Sequence, residues 1–335
     1  MSDARKTDLF EGAGPVRRKM PLLLPEDSQL RDPALYVADP GLRQAVNVAM
    51  LLGKPLLVTG EPGTGKTQLA HRIAYELSEN NPPEQPLIFH TKTTSTATDL
   101  FYTYDSLRHF QDIQFDRRAD SAWDYVRWQA LGIAIIRAEA RDAARALLPA
   151  KYHRPEPCRS VVLIDEVDKA PRDLPNDILN EIENLEFYMK ELTSELDKVG
   201  IVQPFRATPE YSPIVILTSN SERDLPDAFL RRCIFYYISF PSASQLLQII
   251  QKRVKLTFFN VETLEHAITR FEQFRNSAHK KKPSTEELLA WVRILDGLGI
   301  DPMNPKPEQE KALEASYSTL AKSREDLVWP RGSLK

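Results

Sequence analysis

Short apolar runs alternate with amphipathic segments through the first 240 residues of the chain. Continuous aliphatic runs predict buried strands at Pro55–Val58, Pro86–His90, Ser160–Ile164 and Pro213–Leu217. Apolar residues at helical spacing predict helices over about 40–52, 68–78 and 174–185, and a long, mostly helical stretch over 100–155. Strands that are apolar throughout and alternate with helices are typical of a parallel sheet covered on both faces. The pattern therefore predicts an α/β fold.

The pattern becomes wholly helical after Phe240-Pro241. Helices are predicted over 244–256, 261–276, 284–295 and about 308–322. Ser284 and Glu287 form a capping box at the start of the third of these helices. The same helix carries a core-facing stripe of Leu288, Leu289, Val292 and Leu295. We therefore predict a charged leader over 1–25, an α/β domain over 26–240, and a helical domain with the C-terminal tail over 241–335.

Composition restricts the classes of function that this chain can have. A net charge of −3 and a pI near 6.1 argue against a general nucleic-acid binder, which needs clustered Lys and Arg. Cys158 and Cys233 form no C-x-x-C pair, so neither a disulfide framework nor a zinc site is expected. The start of the chain has no apolar core, and no run of about 18 apolar residues follows. We therefore expect a cytoplasmic protein with no signal peptide and no membrane partner.

A glycine-rich segment directly follows the first apolar run. Its residues fit the pattern G-x-x-x-x-G-K-[ST], as Gly60, Glu61, Pro62, Gly63, Thr64, Gly65, Lys66 and Thr67. The glycines allow successive N–H groups to point at an anion, and a helix that starts near Gln68 adds its own donors and positive dipole end. We predict that residues 60–68 cradle nucleotide phosphates, with Lys66 on the β and γ phosphates and the Thr67 hydroxyl on Mg²⁺. The alternative, a simple glycine-rich turn, needs no Lys-Thr at a helix start.

Two acids end another buried strand, in the sequence Leu163-Ile164-Asp165-Glu166. Ligands bind at the carboxyl ends of strands in open α/β sheets. We predict that Asp165 holds Mg²⁺, usually through water, and that Glu166 orients and deprotonates the attacking water. The alternative is a strand that simply ends in solvated acids. The phosphate loop in the same chain favours the functional interpretation.

Polar residues also follow the strand that contains Ile214–Leu217. Asn220 is placed there to hydrogen-bond both the γ phosphate and the catalytic water, although a turn cap would also suit Ser219-Asn220. Arg231 and Arg232 come next, at the end of a short predicted helix. They can complement the helix dipole. Alternatively, an arginine there can neutralise charge on the phosphoryl group that is transferred in the site of a neighbouring subunit.

Together, four segments resemble the AAA+ ATPases, and specifically their MoxR-like group. In chain order they are GEPGTGKT, VVLIDEVDKAP, VILTSN and LPDAFLRRC. The resemblance covers about residues 40–297 and implies a P-loop NTPase sheet covered by helices, with a C-terminal helical lid. It also implies ATP and Mg²⁺ as cofactors and a homo-oligomeric ring, usually a hexamer. Arg232 stands where the group has its arginine finger, whereas Arg231 stands where an Asp is frequent.

The MoxR-like group carries two insertions that project toward the pore or face of the ring. Here they would lie at about 99–115 and, as a β hairpin, at about 187–211. Phe101, Tyr102 and Tyr104 can grip a polypeptide there, but this spacing is more often that of packed aromatic residues. The helices predicted over 123–148 have no part in ATPase chemistry. The two alternatives for them are an elaboration of the fold and a platform for a partner.

The predicted lid departs from the group at one position. Members commonly have Ser-Pro-Arg at the start of the third lid helix, and that arginine senses nucleotide, but this chain has Ser284-Thr285-Glu286. Either Arg293 takes that role or the lid senses nucleotide weakly. We interpret His266 as a packing residue, and Lys280–Lys282 as a solvated loop that could approach phosphate.

We therefore expect a Mg²⁺- and ATP-dependent AAA+ ATPase that remodels a protein client. The resemblance implies a separately encoded partner, often one with a von Willebrand A domain. Lys66 and Mg²⁺ would neutralise charge, Glu166 would activate water, and Arg232 would act on a neighbouring subunit. A nucleotide-regulated switch or scaffold with little hydrolysis is the alternative. A nucleic-acid motor is disfavoured by the charge balance.

Overall fold

The computed structural model describes residues 32–78, 83–115, 122–171, 174–221, 224–278 and 281–327. The leader predicted over 1–25 lies outside these residues. The described chain forms two compact units. The α/β unit comprises Ala38–Glu61 and Gly65–Ser239. The described residues of the second unit lie within 32–37, Pro62–Thr64 and 240–327.

The α/β unit is built on a parallel sheet. The described strands are β1 (Leu56–Gly60), β2 (Leu87–His90), β3 (Tyr102–Tyr104), β4 (Val126–Trp128), β5 (Val161–Asp165), β6 (Glu186–Phe187), β7 (Phe205–Arg206), β8 (Ile214–Ser219) and β9 (Ile234–Ile238). Its described helices are α1 (Pro40–Leu52), α2 (Lys66–Leu77), α3 (Ser106–Gln114), α4 (Ala130–Arg137), α5 (Asp142–Arg145), α6 (Leu174–Asn184), α7 (Thr193–Lys198) and α8 (Asp227–Leu230). Five strands form the main sheet in the order β2-β5-β8-β1-β9, which confirms the predicted α/β class.

The register of the sheet brings the strand ends together. Thr59 at the end of β1 pairs with Ser219 at the end of β8, and His90 of β2 pairs with Asp165 of β5. Because these strands run parallel, their carboxyl ends lie at the same edge of the sheet. The residues that follow β1, β5 and β8 therefore meet at this edge.

Helices cover the sheet and explain why its strands are apolar throughout. Every residue of β1 is buried, and so are the first four residues of β5. α4 buries all of its residues and packs against β2 and β5. α2 packs against β1, β5 and β8 with Leu69 and Ile73 buried, whereas Leu77, predicted on the same face, is exposed. Each fully buried aliphatic side chain contributes about 1.5–3 kcal/mol to the stability of the fold.

The prediction of a mostly helical stretch over 100–155 is wrong in part, because β3 and β4 form an antiparallel ladder within it. Tyr102 lies opposite Trp128 in this ladder. Aromatic and β-branched residues suit such cross-strand pairs, and this pairing outweighs the helical preference of the neighbouring residues. Phe101 stacks on Phe187 with ring centroids 4.7 Å apart. Phe101 and Tyr102 are 3% and 4% exposed, so they pack in the core and offer no grip to a polypeptide.

Two further elements differ from the predicted set of strands. β9 forms an edge of the main sheet next to β1, although we predicted no strand at its position. The hairpin expected over 187–211 is reduced to the short β6–β7 ladder, in which Phe187 pairs with Phe205. The connection between these two strands carries α7.

The second unit is helical, as the pattern predicts. Its described helices are α9 (Ala243–Arg253), α10 (Val261–Ser277), α11 (Thr285–Leu298) and α12 (Glu310–Ser316). The capping box of Ser284 and Glu287 is present, and the predicted stripe of α11 is buried. His266 is half-buried, and its Nδ1 lies 2.9 Å from Oδ2 of Asp301. Among the described residues, no helix has the length and apolar character needed to cross a bilayer.

Candidate active site

The glycine loop connects β1 directly to α2. α2 begins at Lys66, slightly before the start predicted near Gln68. Gly63 and Gly65 have φ angles of 75° and 90°, in the left-handed region that favours glycine. Gly65 is the N-cap of α2 and supplies no side-chain acceptor for the first N–H groups of the helix. A helix start of this kind suits a phosphate group.

Lys66 is buried beside the loop that precedes it. Its Nζ donates to the carbonyl oxygens of Gly60 at 2.7 Å and of Glu61 at 2.9 Å. Burial lowers the pKa of Lys66, although nearby carboxylates, chiefly that of Asp168, oppose this effect. Phosphate oxygens would compensate a buried ammonium group better than neutral carbonyls do. The side-chain oxygen of Gln68 is also buried, and it has no hydrogen-bond partner among the described residues.

The two predicted Mg²⁺ ligands lie side by side. Thr67 Oγ1 donates to Asp165 Oδ1 at 3.3 Å, and Thr218 Oγ1 donates to the same oxygen at 2.6 Å. No cluster of three or more His, Cys, Asp or Glu side chains that could hold a metal occurs in the described part of the chain. Mg²⁺ fits such a sparse site, because it usually takes one or two protein oxygens and completes its shell with water and substrate phosphates.

Glu166 adopts a backbone conformation that is rare for residues other than glycine. Its φ is 58°, in the left-handed region. Such conformations cost about 1–3 kcal/mol and cluster at functional sites. Its N–H donates to Thr218 Oγ1 at 2.9 Å. The carboxylate accepts two hydrogen bonds, from Asn220 Nδ2 to Oε1 at 3.2 Å and from Lys169 Nζ to Oε2 at 2.6 Å.

Asn220 lies next to Glu166 because β8 and β5 are neighbours in the sheet. Its backbone N–H donates to Asp168 Oδ2 at 3.2 Å, and Asp168 is only 3% exposed. Sequence analysis did not select Thr218, Asp168 or Lys169 for this site. Their positions next to Asn220 and Glu166 in the chain are the signal that could have found them.

Arg232 lies in a different setting from the other predicted residues. Its Nη1 donates to Asn180 Oδ1 at 3.3 Å, and its Nε is 3.6 Å from Glu183 Oε1. Both partners belong to α6, and the Arg232 side chain is 44% exposed. The structure therefore groups Lys66, Thr67, Asp165, Glu166 and Asn220 at the sheet edge, while Arg232 lies on an exposed surface. Arg231 is exposed as well.

A glycine loop after β1, acids after β5 and a polar residue after β8, on a parallel sheet of this order, define a P-loop nucleoside-triphosphatase fold. The sequence profile of the ATPase family associated with various cellular activities (AAA) matches residues 56–241. That match covers more than half of the chain, and the protein belongs to the AAA family.

Two solved structures of AAA proteins are similar to this chain. The FIGL-1 AAA domain in complex with ADP is 17% identical, with 89% of this chain and 82% of that chain covered and a TM-score of 0.37. A structure that describes katanin self-assembly is 14% identical, with 89% and 82% covered and a TM-score of 0.34. No curated protein sequence matches the chain. The family assignment therefore rests on the sequence profile.

Proposed function

We propose that this protein is a Mg²⁺-dependent ATP hydrolase of the MoxR-like group that remodels a protein partner. The observation that carries the proposal is the convergence of Lys66, the Thr67–Asp165 pair and the Glu166–Asn220 pair at one edge of the sheet. These groups supply an ammonium for phosphate, two oxygens for a metal, and a carboxylate with a polar neighbour for water. ATP hydrolysis needs all of these parts.

In this proposal, residues 60–68 bind the ATP phosphates. The Lys66 ammonium exchanges the carbonyls of Gly60 and Glu61 for the β and γ phosphates. Thr67 and Asp165 hold Mg²⁺, which neutralises charge on the phosphates when it is bound. Asp165 is kept in place by Thr218, because the Thr218 hydroxyl donates to one of its oxygens.

The hydrolytic step is an in-line attack of water on the γ phosphate. Glu166 accepts a proton from the water as general base, and Asn220 orients the water relative to the phosphate. Arg232 neutralises charge in the site of a neighbouring subunit. Its exposure on the surface beside α6 supports a role outside its own site.

The MoxR-like assignment brings further proposals on assembly and location. We propose a homo-oligomeric ring, usually a hexamer in that group, in the cytoplasm. Its protein client, or a separately encoded partner with a von Willebrand A domain, binds the insertions. The β6–β7 ladder, which precedes the strand that leads to Asn220, supports membership of the group. The proposed domain boundaries are the predicted ones, at residues 25 and 240.

One observation favours a second candidate function, a nucleotide-regulated switch or scaffold with little hydrolysis. Both carboxylate oxygens of Glu166 accept hydrogen bonds from side chains of the same chain. A base that keeps both bonds in the nucleotide-bound state would activate water slowly. Such a protein would still bind ATP and signal through order and disorder of a segment.

A comparison of Glu166→Gln with the wild type tests the proposal. We expect the wild type to release phosphate from Mg²⁺-ATP, and Glu166→Gln to bind ATP with a similar Kd but to hydrolyse it at least about a hundredfold more slowly. Glu314→Gln, at an exposed position of α12, is the matched control and should behave like the wild type. Near wild-type turnover by Glu166→Gln would reject Glu166 as the base. Binding without measurable hydrolysis by the wild type would favour the switch.

A further inference from the structure

β9 is an outer strand of the main sheet, and in the described part of the chain it pairs only with β1. The N–H of Ile234 donates to the carbonyl oxygen of Pro55 at 2.9 Å, on the β1 side. Backbone groups of successive residues in a strand point to opposite sides. The N–H and C=O groups of Phe235 and Tyr237 therefore point away from β1, to the side that we call the open side of β9.

The side chains of Phe235 and Tyr237 are accessible as well. They are 54% and 50% exposed. Because successive side chains of a strand alternate between the two faces of a sheet, both rings lie on the same face. They stand two residues apart, which is also the repeat with which an extended segment presents its own side chains. β9 thus offers the two parts of a site for strand addition, outward backbone groups and apolar contacts for alternate side chains.

The leader contains a segment, Pro21–Pro25, whose sequence fits this site. It holds the only run of three aliphatic residues outside the described part of the chain. Leu22 and Leu24 in this run are two residues apart, like the two exposed rings of β9. Because proline disfavours the helical conformation in the residue before it, Leu24 favours an extended backbone, which lowers the entropic cost of binding. Prolines are tolerated at the outer strand of a sheet, where a missing N–H leaves no partner unmet.

The chain also tethers this segment close to β9. Asp39 Oδ1 accepts a hydrogen bond of 2.6 Å from the hydroxyl of Tyr236, so the chain passes β9 soon after the leader. The chain from Leu24 to Asp39 can span up to about 50 Å, several times the length of a five-residue strand. A short tether gives an effective concentration in the millimolar range. Weak backbone and leucine contacts therefore suffice for binding.

We propose that the segment Pro21–Pro25 binds along the open side of β9 in its own chain. Its backbone forms hydrogen bonds with Phe235 and Tyr237, and Leu22 and Leu24 cover the two rings. Binding there protects β9 from pairing with strands of other molecules, which is the hazard of an uncovered outer strand. The proposal is separate from ATP hydrolysis, because none of these residues belongs to the candidate active site.

Hydrogen–deuterium exchange of the full-length chain, resolved to single amides, tests the proposal. The variant Leu22→Ser with Leu24→Ser removes the apolar contacts of the segment. The matched control is Leu9→Ser with Phe10→Ser, a pair of apolar residues elsewhere in the leader. The amide of Val58, which is buried in β1, reports whether the sheet stays intact.

The amides of Phe235 and Tyr237 should exchange at least about tenfold more slowly in the wild type than in Leu22→Ser with Leu24→Ser. Tenfold protection corresponds to a site that is occupied about nine-tenths of the time. The control should match the wild type. The amide of Val58 should exchange at the same rate in all three proteins.

Two results of this comparison overturn the proposal. Fast exchange of Phe235 and Tyr237 in the wild type means that the open side of β9 is uncovered. Equally slow exchange in the wild type and in Leu22→Ser with Leu24→Ser means that another segment covers it.

A mixing experiment separates a chain's own leader from that of a second copy. The variant Leu22→Ser with Leu24→Ser is labelled with ¹⁵N and mixed with unlabelled wild type until mass measurement shows that subunits have exchanged. We expect the amides of Phe235 and Tyr237 in the labelled chains to stay fast, because each leader binds its own β9. Recovery of protection in the labelled chains contradicts the proposal, since a second copy would then supply the segment.

Discussion

Two groups of charged side chains in the α/β unit are built in different ways. The insertion cluster consists of Glu84, Arg137 and Arg154; the strand-edge cluster consists of Lys66, Asp165, Glu166, Lys169 and Asn220. In the insertion cluster, Arg137 Nη1 lies 3.1 Å from one oxygen of Glu84, and Arg154 Nε lies 2.6 Å from the other. The Arg137 side chain is only 4% exposed. These charges compensate one another inside the protein.

Arg137 also joins distant parts of the chain. Its Nε donates to the carbonyl oxygen of Tyr152 at 2.8 Å, and its Nη1 donates to Ser160 Oγ at 3.4 Å. Glu84 precedes β2 and Ser160 precedes β5, so the cluster ties the end of α4 to the start of two strands. It therefore gives α4, which belongs to the helices predicted over 123–148, a structural role. ATPase chemistry had not explained that segment.

The strand-edge cluster keeps charge where a ligand can reach it. Glu166 and Lys169 are more than a third exposed, and Glu166 has a strained backbone. Lys66 is buried but bonds to carbonyls of its own loop. From this difference we expect that removing one partner of the buried cluster destabilises the fold, whereas the accessible or weakly compensated charges are available for binding and proton transfer.

The largest loss of ATP hydrolysis in this comparison is expected on substitution of Arg232, which belongs to neither cluster. Arg232→Ala should bind ATP like the wild type but hydrolyse it about a thousandfold more slowly, because an arginine finger contributes about 10³–10⁵ to the rate. Its stability should change by less than about 1 kcal/mol, since its ion pair with Glu183 is exposed. Phosphate release and urea unfolding measure both effects, and Arg231→Ala is the control.

Mixing Arg232→Ala with Glu166→Gln tests whether the arginine acts on a neighbour. Sites with an intact Glu166 and a neighbour's Arg232 form when the two variants combine. With random equal mixing, roughly a quarter of the sites should recover, provided that subunits exchange and sites act independently. If mass measurement confirms exchange and intact rings but the mixture stays inactive, the assignment to a neighbouring subunit is wrong.

Lys66→Ala tests whether a charge of the strand-edge cluster serves ATP binding rather than stability of the fold. It should weaken ATP binding at least about thirtyfold, because loss of one partner of a desolvated charge pair costs about 2–5 kcal/mol. Its midpoint of urea unfolding should stay the same or rise, since burial disfavours the Lys66 ammonium and lowers its pKa. Lys54→Ala, at an exposed position before β1, is the control for both measurements. A large loss of stability in Lys66→Ala would show that this lysine also holds the fold.

Local patterns predicted those parts of the fold and site that depend on a few neighbouring residues. Continuous apolar runs identified β1, β5 and β8, and the polar residues at their ends identified Asp165, Glu166 and Asn220 as candidates. The rule that parallel strands end at one edge then predicted that these candidates meet. Their roles in ATP hydrolysis stay predictions.

Features that depend on distant partners were not predicted. β9 was missed although its residues, Ile-Phe-Tyr-Tyr-Ile, form a continuous aliphatic and aromatic run; only its pairing with β1 depends on a distant segment. The β3–β4 ladder joins segments on either side of α3, so no short window of sequence contains both strands. The bond between Asn220 and Asp168 likewise joins the ends of β8 and β5. The pattern of a single segment cannot show such pairings.

Glu84→Ala tests the insertion cluster by leaving the buried Arg137 without its carboxylate. It should lower the free energy of unfolding by about 3 kcal/mol, because the charge of Arg137 then stays buried without its carboxylate partner. Glu76→Ala is the control, since Glu76 pairs with Arg72 on the solvent-facing side of α2 and should cost only about 0.3–0.5 kcal/mol. ATP affinity of the folded Glu84→Ala protein should match the wild type. A selective loss of ATP affinity with unchanged stability would contradict the distinction between the two clusters.

The smallest effects on stability and hydrolysis are expected for Glu286 and Arg293, two residues of the helical unit that belong to neither cluster. Glu286 is exposed on α11 and is one of the acidic groups near Arg253, whose burial lowers its pKa. Glu286→Ala should therefore cost less than about 1 kcal/mol of stability and change hydrolysis by less than about twofold. Arg293→Ala should lower hydrolysis by more than Glu286→Ala if Arg293 replaces the second sensor arginine. Equal, small effects on phosphate release from both variants would leave the lid without a sensor arginine. That result would favour the nucleotide-regulated switch, because a lid that does not contact phosphate cannot link its closure to hydrolysis.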